Sequence, residues 1–245
     1  MKLAEIVRGV RLLSLDAGNT VIFLDHARLA EVVSRHGLKT DAATLIRTEG
    51  AAKRRHAKGG LAEMVDLPWP HRDAPGARGW GAMVATIAVE AGLPEAAVAP
   101  FLEDAWQVHS ARNFWDLVPK GFGDAIERAR RHGVQIVLVS NSEGMLAELF
   151  TELGIVEHFD LLLDSGIIGL EKPDPRFFEV ALKKLRVPPE EALHLGDMYS
   201  TDIVGARAAK MRAALIDPHG HYEGMYPDVP RVPGVVEVAL ALAAR

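Results

Sequence analysis

Four short segments of this 245-residue chain carry residue types that together could displace a group at phosphorus: LDAGNT (Leu15–Thr20), VSN (Val139–Asn141), LEKPDP (Leu170–Pro175) and LGDMYSTD (Leu195–Asp202). Such a displacement needs a nucleophile, a positive charge to offset its repulsion from phosphate, and donors for the phosphate oxygens that do not react. Asp16 can attack, Lys172 can neutralise and Ser140 can donate. Asp197 and Asp202 add hard oxygen ligands of the kind Mg²⁺ takes, and a cation there relieves the meeting of a carboxylate with a phosphate dianion. Each segment alone has a plainer reading. An Asp after a strand is a common helix cap, Lys-Pro before a helix a common surface loop, and GDxxxxD a turn followed by an N-cap. Their order and shared placement at strand ends separate them from those readings.

The elements that must position these residues are also legible. RLLSL (Arg11–Leu15), VQIVLV (Val134–Val139), DLLL (Asp160–Leu163), ALHL (Ala192–Leu195) and AALI (Ala213–Ile216) are short apolar runs that read as buried strands. Helical spacing fills the intervals near Glu143–Leu153, Phe177–Leu185 and Gly205–Met211. Alternation of this kind predicts an α/β protein with a parallel sheet covered on both faces, whose ligands sit beyond the carboxyl ends of the strands. Between Phe23 and Trp115 there is no convincing strand run. Ala-rich helical segments occupy it instead, among them Arg28–His36, Ala42–His56 and Gly81–Ala91, with a Pro/Gly-rich loop over Leu67–Gly79. The tail His219–Gly234 is turn-rich and leads into a final short helix.

Composition narrows the function classes. A balance of 49% hydrophobic and 25% charged residues is that of a globular protein with a sizeable core. A net charge of −5 argues against general affinity for nucleic acid or an anionic membrane. No apolar run reaches the roughly 18 residues of a membrane span, and the N-terminus lacks the apolar stretch of a signal peptide, so a cytoplasmic protein is expected. With no cysteine, any metal must be held by oxygen or histidine.

LDAGNT, VSN, GLEKPDPRFF and HLGDMYSTDIVGARAAKM resemble the four ordered motifs of the haloacid dehalogenase-like (HAD) hydrolases, over Arg11–Thr20 and about Val118–Asp217. The resemblance implies a Rossmann-like core, residues 1–24 and 115–245, with an inserted α-helical cap, residues 25–114. It implies Asp16 as nucleophile, Lys172 as the neutralising lysine, and Ser140 with the Asn141 amide as phosphate holders. It further implies Mg²⁺ held by Asp16, the Gly18 carbonyl and Asp197, with Asp202 acting behind them or through water. The substrate would be a small-molecule phosphate ester, with specificity set in the cap. One departure stands out: phosphatases of the family usually carry a second Asp, the general acid, where this chain has Gly18. His56, His71 and His109 are candidates to replace it. Two alternatives follow from the departure: a 2-haloacid dehalogenase in which Asp16 displaces halide, or a HAD-like regulatory protein that turns over poorly. Dehalogenases of the family work without metal and lack the GDxxxxD acids, which draws the reading back to phosphate.

Other signals have simpler explanations. GxSxG, GxxxxGK[ST] and HExxH are all absent. His219 and His221 flank Gly220 at a spacing that could ligate a metal, but a turn-exposed pair is the expectation. The basic run Lys53–Lys58 is expected to be a solvated helix face, and Trp69, Trp80, Trp106 and Trp115 are expected to form the core of the insert.

Overall fold

The structure, a computed structural model, describes residues 2–58, 66–74 and 76–244. In chain order, α1 (Leu3–Ile6), β1 (Leu12–Leu15) and β2 (Phe23–Leu24) precede the helices α2 (His26–Arg35), α3 (Ala42–Ala57), α4 (Ala77–Glu90) and α5 (Glu95–Ala111) and then β3 (Trp115–Leu117). Strands and helices follow, alternating except at α8–α9 and β7–β8: α6 (Phe122–Arg131), β4 (Gln135–Ser140), α7 (Leu146–Glu152), β5 (Leu161–Asp164), α8 (Ser165–Ile168), α9 (Pro175–Leu185), β6 (Ala192–Gly196), α10 (Val204–Ala208), β7 (Arg212–Ile216), β8 (Arg231–Val232) and α11 (Val235–Ala243). The chain divides into two compact units, one of residues 1–23, 117–218 and 224–245, the other of residues 24–116 and 219–223.

The first unit is built on a six-stranded sheet in the order β5-β4-β1-β6-β7-β8. Every neighbouring pair is parallel. β1 and β6 are buried at every position and β4 at all but its first, which is why they read as unbroken apolar runs. Leu15 is level with Leu138 on one side and Leu195 on the other. From β1 the order runs outward through β4 and β5, then resumes at β6 on the opposite side. The β1/β6 boundary is therefore the topological switch point, where open α/β sheets leave a crevice.

Two helices of this unit show how local sequence fixes the framework. On α6, Phe122, Ala125, Ile126 and Ala129 are buried at helical spacing, while Arg128, Arg130 and Arg131 lie in the last turn, where the helix dipole favours cations. α9 starts sharply: Asp174 caps it by accepting from the Arg176 N–H, and Pro175 occupies the first turn. That start follows directly on Lys172 and Pro173. β8 and the paired β2 and β3 are additions to the expected strands.

The second unit is helical. Leu29, Val33, Leu45, Val84, Ile87, Phe101, Leu102 and Phe114 form its core; Trp69 is buried with them, and Trp80, Trp106 and Trp115 pack partly buried against them. His109 lies 5.0 Å from Trp80 and 5.8 Å from Phe114 between ring centroids, and its Nδ1 accepts the Phe114 N–H. Burial, helped by the Arg28 charge, lowers it to about 4, so the imidazole is neutral at pH 7. Two expectations need correction here. The basic run is only in part a solvated face: Lys58 is exposed and Arg54, Arg55 and His56 are half-buried, but Lys53 is buried with its Nζ 3.2 Å from Glu49 Oε1, and Glu49 Oε2 lies 2.7 Å from His26 Nε2. Burial pushes Glu49 up, but the Lys53 charge and then the His26 hydrogen bond outweigh it and hold Glu49 at about 2. Nor is His221 exposed. His219–Glu223 belongs to this unit, and His221 Nε2 lies 2.8 Å from the Ile46 carbonyl oxygen while the His221 carbonyl accepts from Arg54 at 2.7 Å. Gly50 permits this approach, since a Cβ there would stand 2.7 Å from the His221 ring. His219 itself is exposed, as expected. Pro75, within the expected loop Leu67–Gly79, lies outside the described residues. Among the described residues no helix is long and apolar enough to cross a membrane.

Candidate active site

The carboxyl edge of β1, β4 and β6 gathers the chemistry. Asp16 follows β1, and its N–H continues the ladder by donating to the Leu195 carbonyl at 2.9 Å. The chain then turns sharply: the Val21 and Ile22 N–H groups both donate to the Ala17 carbonyl, at 2.9 and 3.0 Å, and Asn19 takes the left-handed conformation with φ 52°. Gly18 lies in this turn without a positive φ, so its backbone does not itself demand glycine. Ser140 ends β4, and Asp197 follows β6.

Lys172 arrives from the loop between α8 and α9, and Asn141 fixes it. The Asn141 side-chain amide donates to the Lys172 carbonyl at 2.9 Å, and its oxygen accepts the Lys172 N–H at 2.7 Å. The side chain of Asn141 is thus committed to Lys172, leaving any phosphate contact to its main-chain amide. Asp164, at the end of β5, ties the same loops together by accepting from the N–H groups of Gly144, Leu146 and Gly166 at 2.9 to 3.1 Å. Asp164 was not anticipated; the signal that could have found it is an Asp at the end of the DLLL run directly before Ser-Gly, a common capping position.

Lys172 is almost fully buried, and its Nζ donates to Asp16 Oδ1 and, at 2.7 Å, to Asp202 Oδ1. Burial alone would lower this lysine, but the charges of Asp16 and Asp202 outweigh it and raise it, so it is a permanent cation. Asp202 is held from three directions: Lys172 on Oδ1, the Met198 N–H on Oδ2 at 2.8 Å, and His194 Nε2 at 3.5 Å. Burial pushes Asp202 up, but Lys172 and the hydrogen bond from His194 hold it well below the ordinary carboxylate range. His194, which burial lowers, is itself anchored to the Ser14 hydroxyl at 2.9 Å across the β1/β6 register and faces Phe178 edge-on. His194 and Ser14 were not anticipated; each sits mid-strand, and only the pairing of β1 with β6 shows that they meet.

Asp16 has the opposite fate. Its burial, together with the charges of Asp202 and Asp197, outweighs Lys172 and raises it to about 6. The ligand oxygens of Asp16, Asp197 and Asp202, all buried, lie within 4.8 Å of one another. Three carboxylates against one ammonium leave two excess negative charges in a buried site, and one divalent cation cancels them. The donors are all hard oxygens, which fit Mg²⁺. Two glycines make the geometry possible. A Cβ on Gly196 would lie 2.2 Å from Asp202 Cγ, and one on Gly205 would lie 2.6 Å from the Phe178 ring and 2.9 Å from Pro173 Cα. Among the described residues the acidic trio is the one group of three or more possible metal ligands, and His219 and His221 are not in it.

Known proteins resemble this chain in sequence and in fold. The haloacid dehalogenase-like hydrolase domain-containing protein 3 of Bos taurus is 31% identical over 211 residues, covering 84% of this chain and 82% of that protein. The phosphoserine phosphatase of Thermus thermophilus is 34% identical over 193 residues, covering 73% of this chain and 74% of that one. The crystal structure of Bacillus subtilis YfnB bound to magnesium superposes with a TM-score of 0.63 over 95% of this chain and 98% of that one; at 17% identity this is a likeness of fold. Residues 10–210 match the haloacid dehalogenase-like hydrolase family, a span that contains all four strand-end segments, and the chain belongs to that family of hydrolases.

Proposed function

We propose that this hydrolase is a Mg²⁺-dependent phosphatase of small phosphorylated metabolites, in which Asp16 attacks phosphorus and carries the phosphoryl group as an aspartyl-phosphate. The observation that carries the reading is the buried meeting of Asp16, Lys172, Asp197 and Asp202 at the β1/β6 switch point. A phosphatase among the relatives supports the same substrate class.

Asp16 and Asp197 would hold Mg²⁺ with the carbonyl of Gly18, while Asp202, its oxygens already engaged by Lys172, Met198 and His194, would act from behind. Mg²⁺ bound there supplies the Lewis acidity that lets a carboxylate approach a phosphate dianion. It would also bring Asp16 below its raised value, keeping the nucleophile ionised at neutral pH. Lys172 steadies the charge shared by Asp16 and the transferring group. Ser140, one residue beyond the level of Asp16 on the adjacent strand, and the Asn141 main-chain N–H would hold the oxygens that do not react. The phosphoester bond breaks as the bond to an Asp16 oxygen forms, the departing oxygen taking a proton from solvent to leave as the alcohol; water then attacks the aspartyl-phosphate, releasing inorganic phosphate and returning the Asp16 carboxylate. The helical unit would serve as the cap, excluding water and selecting the substrate.

The test is turnover of a panel of phosphate esters with Mg²⁺ and in EDTA, for the wild type and Asp16→Asn. Activity is expected to vanish in EDTA and in the variant. A variant retaining more than a few per cent of the wild-type rate would remove Asp16 from the role of nucleophile. Undiminished release of halide from 2-chloropropionate in EDTA would favour the dehalogenase alternative, and bound Mg²⁺ without any turnover the regulatory one.

A further inference from the structure

The turn-rich tail contains a contact that the reaction does not use. Tyr226 lies flat on Tyr199, with ring centroids 3.5 Å apart and planes 1° from parallel. Tyr199 opens the five-residue π-helical turn Tyr199–Ile203, which begins two residues after Asp197 and contains Asp202. Free aromatic pairs prefer offset or edge-on arrangements to direct overlap, so this stack is imposed by the two backbones. Tyr226 also has φ 50°, a left-handed conformation that is a rare outlier for so bulky a residue. Strained residues of this kind persist where the surroundings hold them, and they cluster at functional sites.

The surroundings do hold it. The Val229 N–H donates to the Tyr226 carbonyl at 3.0 Å, and Arg231 donates to the Met225 carbonyl at 2.5 Å. Arg207 on α10, just downstream of Asp202, donates to the Asp228 carboxylate at 2.6 Å and to its carbonyl at 2.9 Å. The turn is therefore fastened to both sides of the loop that spaces the two acids. A π-helical turn is a rare local structure, frequent at functional sites; here the Asp202 N–H donates to the Met198 carbonyl at 2.9 Å within the loop, and the tail adds its contacts from outside.

We propose that Tyr226 is a positioning residue for the metal-binding loop, its ring clamping Tyr199 so that Asp197 is held as a ligand for a divalent cation and Asp202 is held behind it. The proposal rests on the reading of this site as a Mg²⁺ site. Calorimetric titration with Mg²⁺ alone, on the full chain, tests both separately. Tyr226→Ala and Tyr226→Leu should bind Mg²⁺ roughly two- to tenfold more weakly, the range open to an aromatic pair, while Tyr226→Phe keeps near wild-type affinity. Tyr199→Ala should produce a similar loss, and the double variant Tyr199→Ala/Tyr226→Ala no further loss, because one contact has been removed twice. Thermal unfolding of each variant identifies any that fails to fold; Leu retains bulk and covers the case in which Ala does not. Wild-type affinity in Tyr226→Leu, or losses that add in full in the double variant, would overturn the proposal. A wild type that binds no Mg²⁺ overturns it too, and locates the failure in the metal reading.

Discussion

Asp16 shares a buried site with two further carboxylates and one lysine, so the substitution Asp16→Asn probes stability as well as catalysis. The folded protein raises Asp16 from 3.8 to about 6, so it binds this proton more tightly than the unfolded chain does. The associated stabilisation is fully present below about pH 4 and is lost as pH rises through about 6. At pH 8 the ionised carboxylate costs the folded state about 3 kcal/mol, each pKa unit being worth about 1.4 kcal/mol. Asparagine imitates the protonated form in shape without the charge. In EDTA at pH 8 the variant should therefore be more stable than the wild type by up to about 3 kcal/mol, or about 6–12 °C in Tm for a chain of this size. The advantage should shrink as pH falls through 6 and vanish near pH 4. Mg²⁺ at about a hundredfold over its Kd should return about 2.7 kcal/mol to the wild type, closing most of the gap. Urea and thermal denaturation at several pH values, with EDTA or Mg²⁺, measure all of this. A variant less stable than the wild type at pH 8 in EDTA would refute the reasoning, because the Lys172 contact would then outweigh the crowding of acids.

Two further outcomes are expected. Glu49→Gln in the helical unit removes the anion between Lys53 and His26, and breaking such a buried pair costs about 3–5 kcal/mol. Because Glu49 is held at about 2 against its ordinary 4.5, its contribution is present above pH 4.5 and fades as pH falls toward 2, so urea denaturation from pH 7 to pH 3 should show the wild type losing its advantage while the variant changes little. At Gly18, where a general acid would stand, no side chain can protonate the leaving group, and such an acid is typically worth about 10²–10⁴-fold. Rates across a leaving-group series should fall steeply with leaving-group pKa, aryl and acyl phosphates leading, and Gly18→Asp should flatten the dependence, since Asn19 and not Gly18 takes the left-handed conformation; equal rates on alkyl and p-nitrophenyl phosphates would mean that another group protonates the leaving oxygen.

What could be read from the chain follows the range of the forces involved. The central strands were legible because a parallel sheet covered on both faces writes itself as apolar runs, as Leu12–Leu15 and Ile136–Val139 do. Asp16 and Asp197 were legible because each follows directly on an apolar strand run, Lys172 because it precedes a helix start capped by Asp174 with Pro175 in its first turn, and Asp202 through its spacing from Asp197. β8, at two residues, carries no periodicity to detect. The HGH spacing around Gly220 correctly marks a turn, yet the burial of His221 is decided by the missing side chain of Gly50, far away in sequence. His109, a candidate acid by residue type, is lowered to about 4 by its place among Trp80, Trp106 and Phe114, and is neutral where a phosphatase would need a proton donor.

The two acids of GDxxxxD show the same limit within the site. From spacing alone both are hard oxygen ligands. In the folded chain the absence of a Cβ at Gly196 lets the Asp202 carboxylate fold back against β6, where the Met198 N–H, His194 and Lys172 take up its oxygens. Its charge then serves to hold Lys172 in place between Asp202 and Asp16. Asp16 and Asp202 together supply the counter-charges that keep this buried lysine protonated, while burial and the charges of Asp202 and Asp197 keep the Asp16 carboxyl raised despite its own bond to Lys172. A substitution at Gly196 would therefore act on Asp16 through two intermediaries, and an Asp202→Asn variant should shift the pH–rate profile of phosphate-ester turnover without removing the proposed nucleophile.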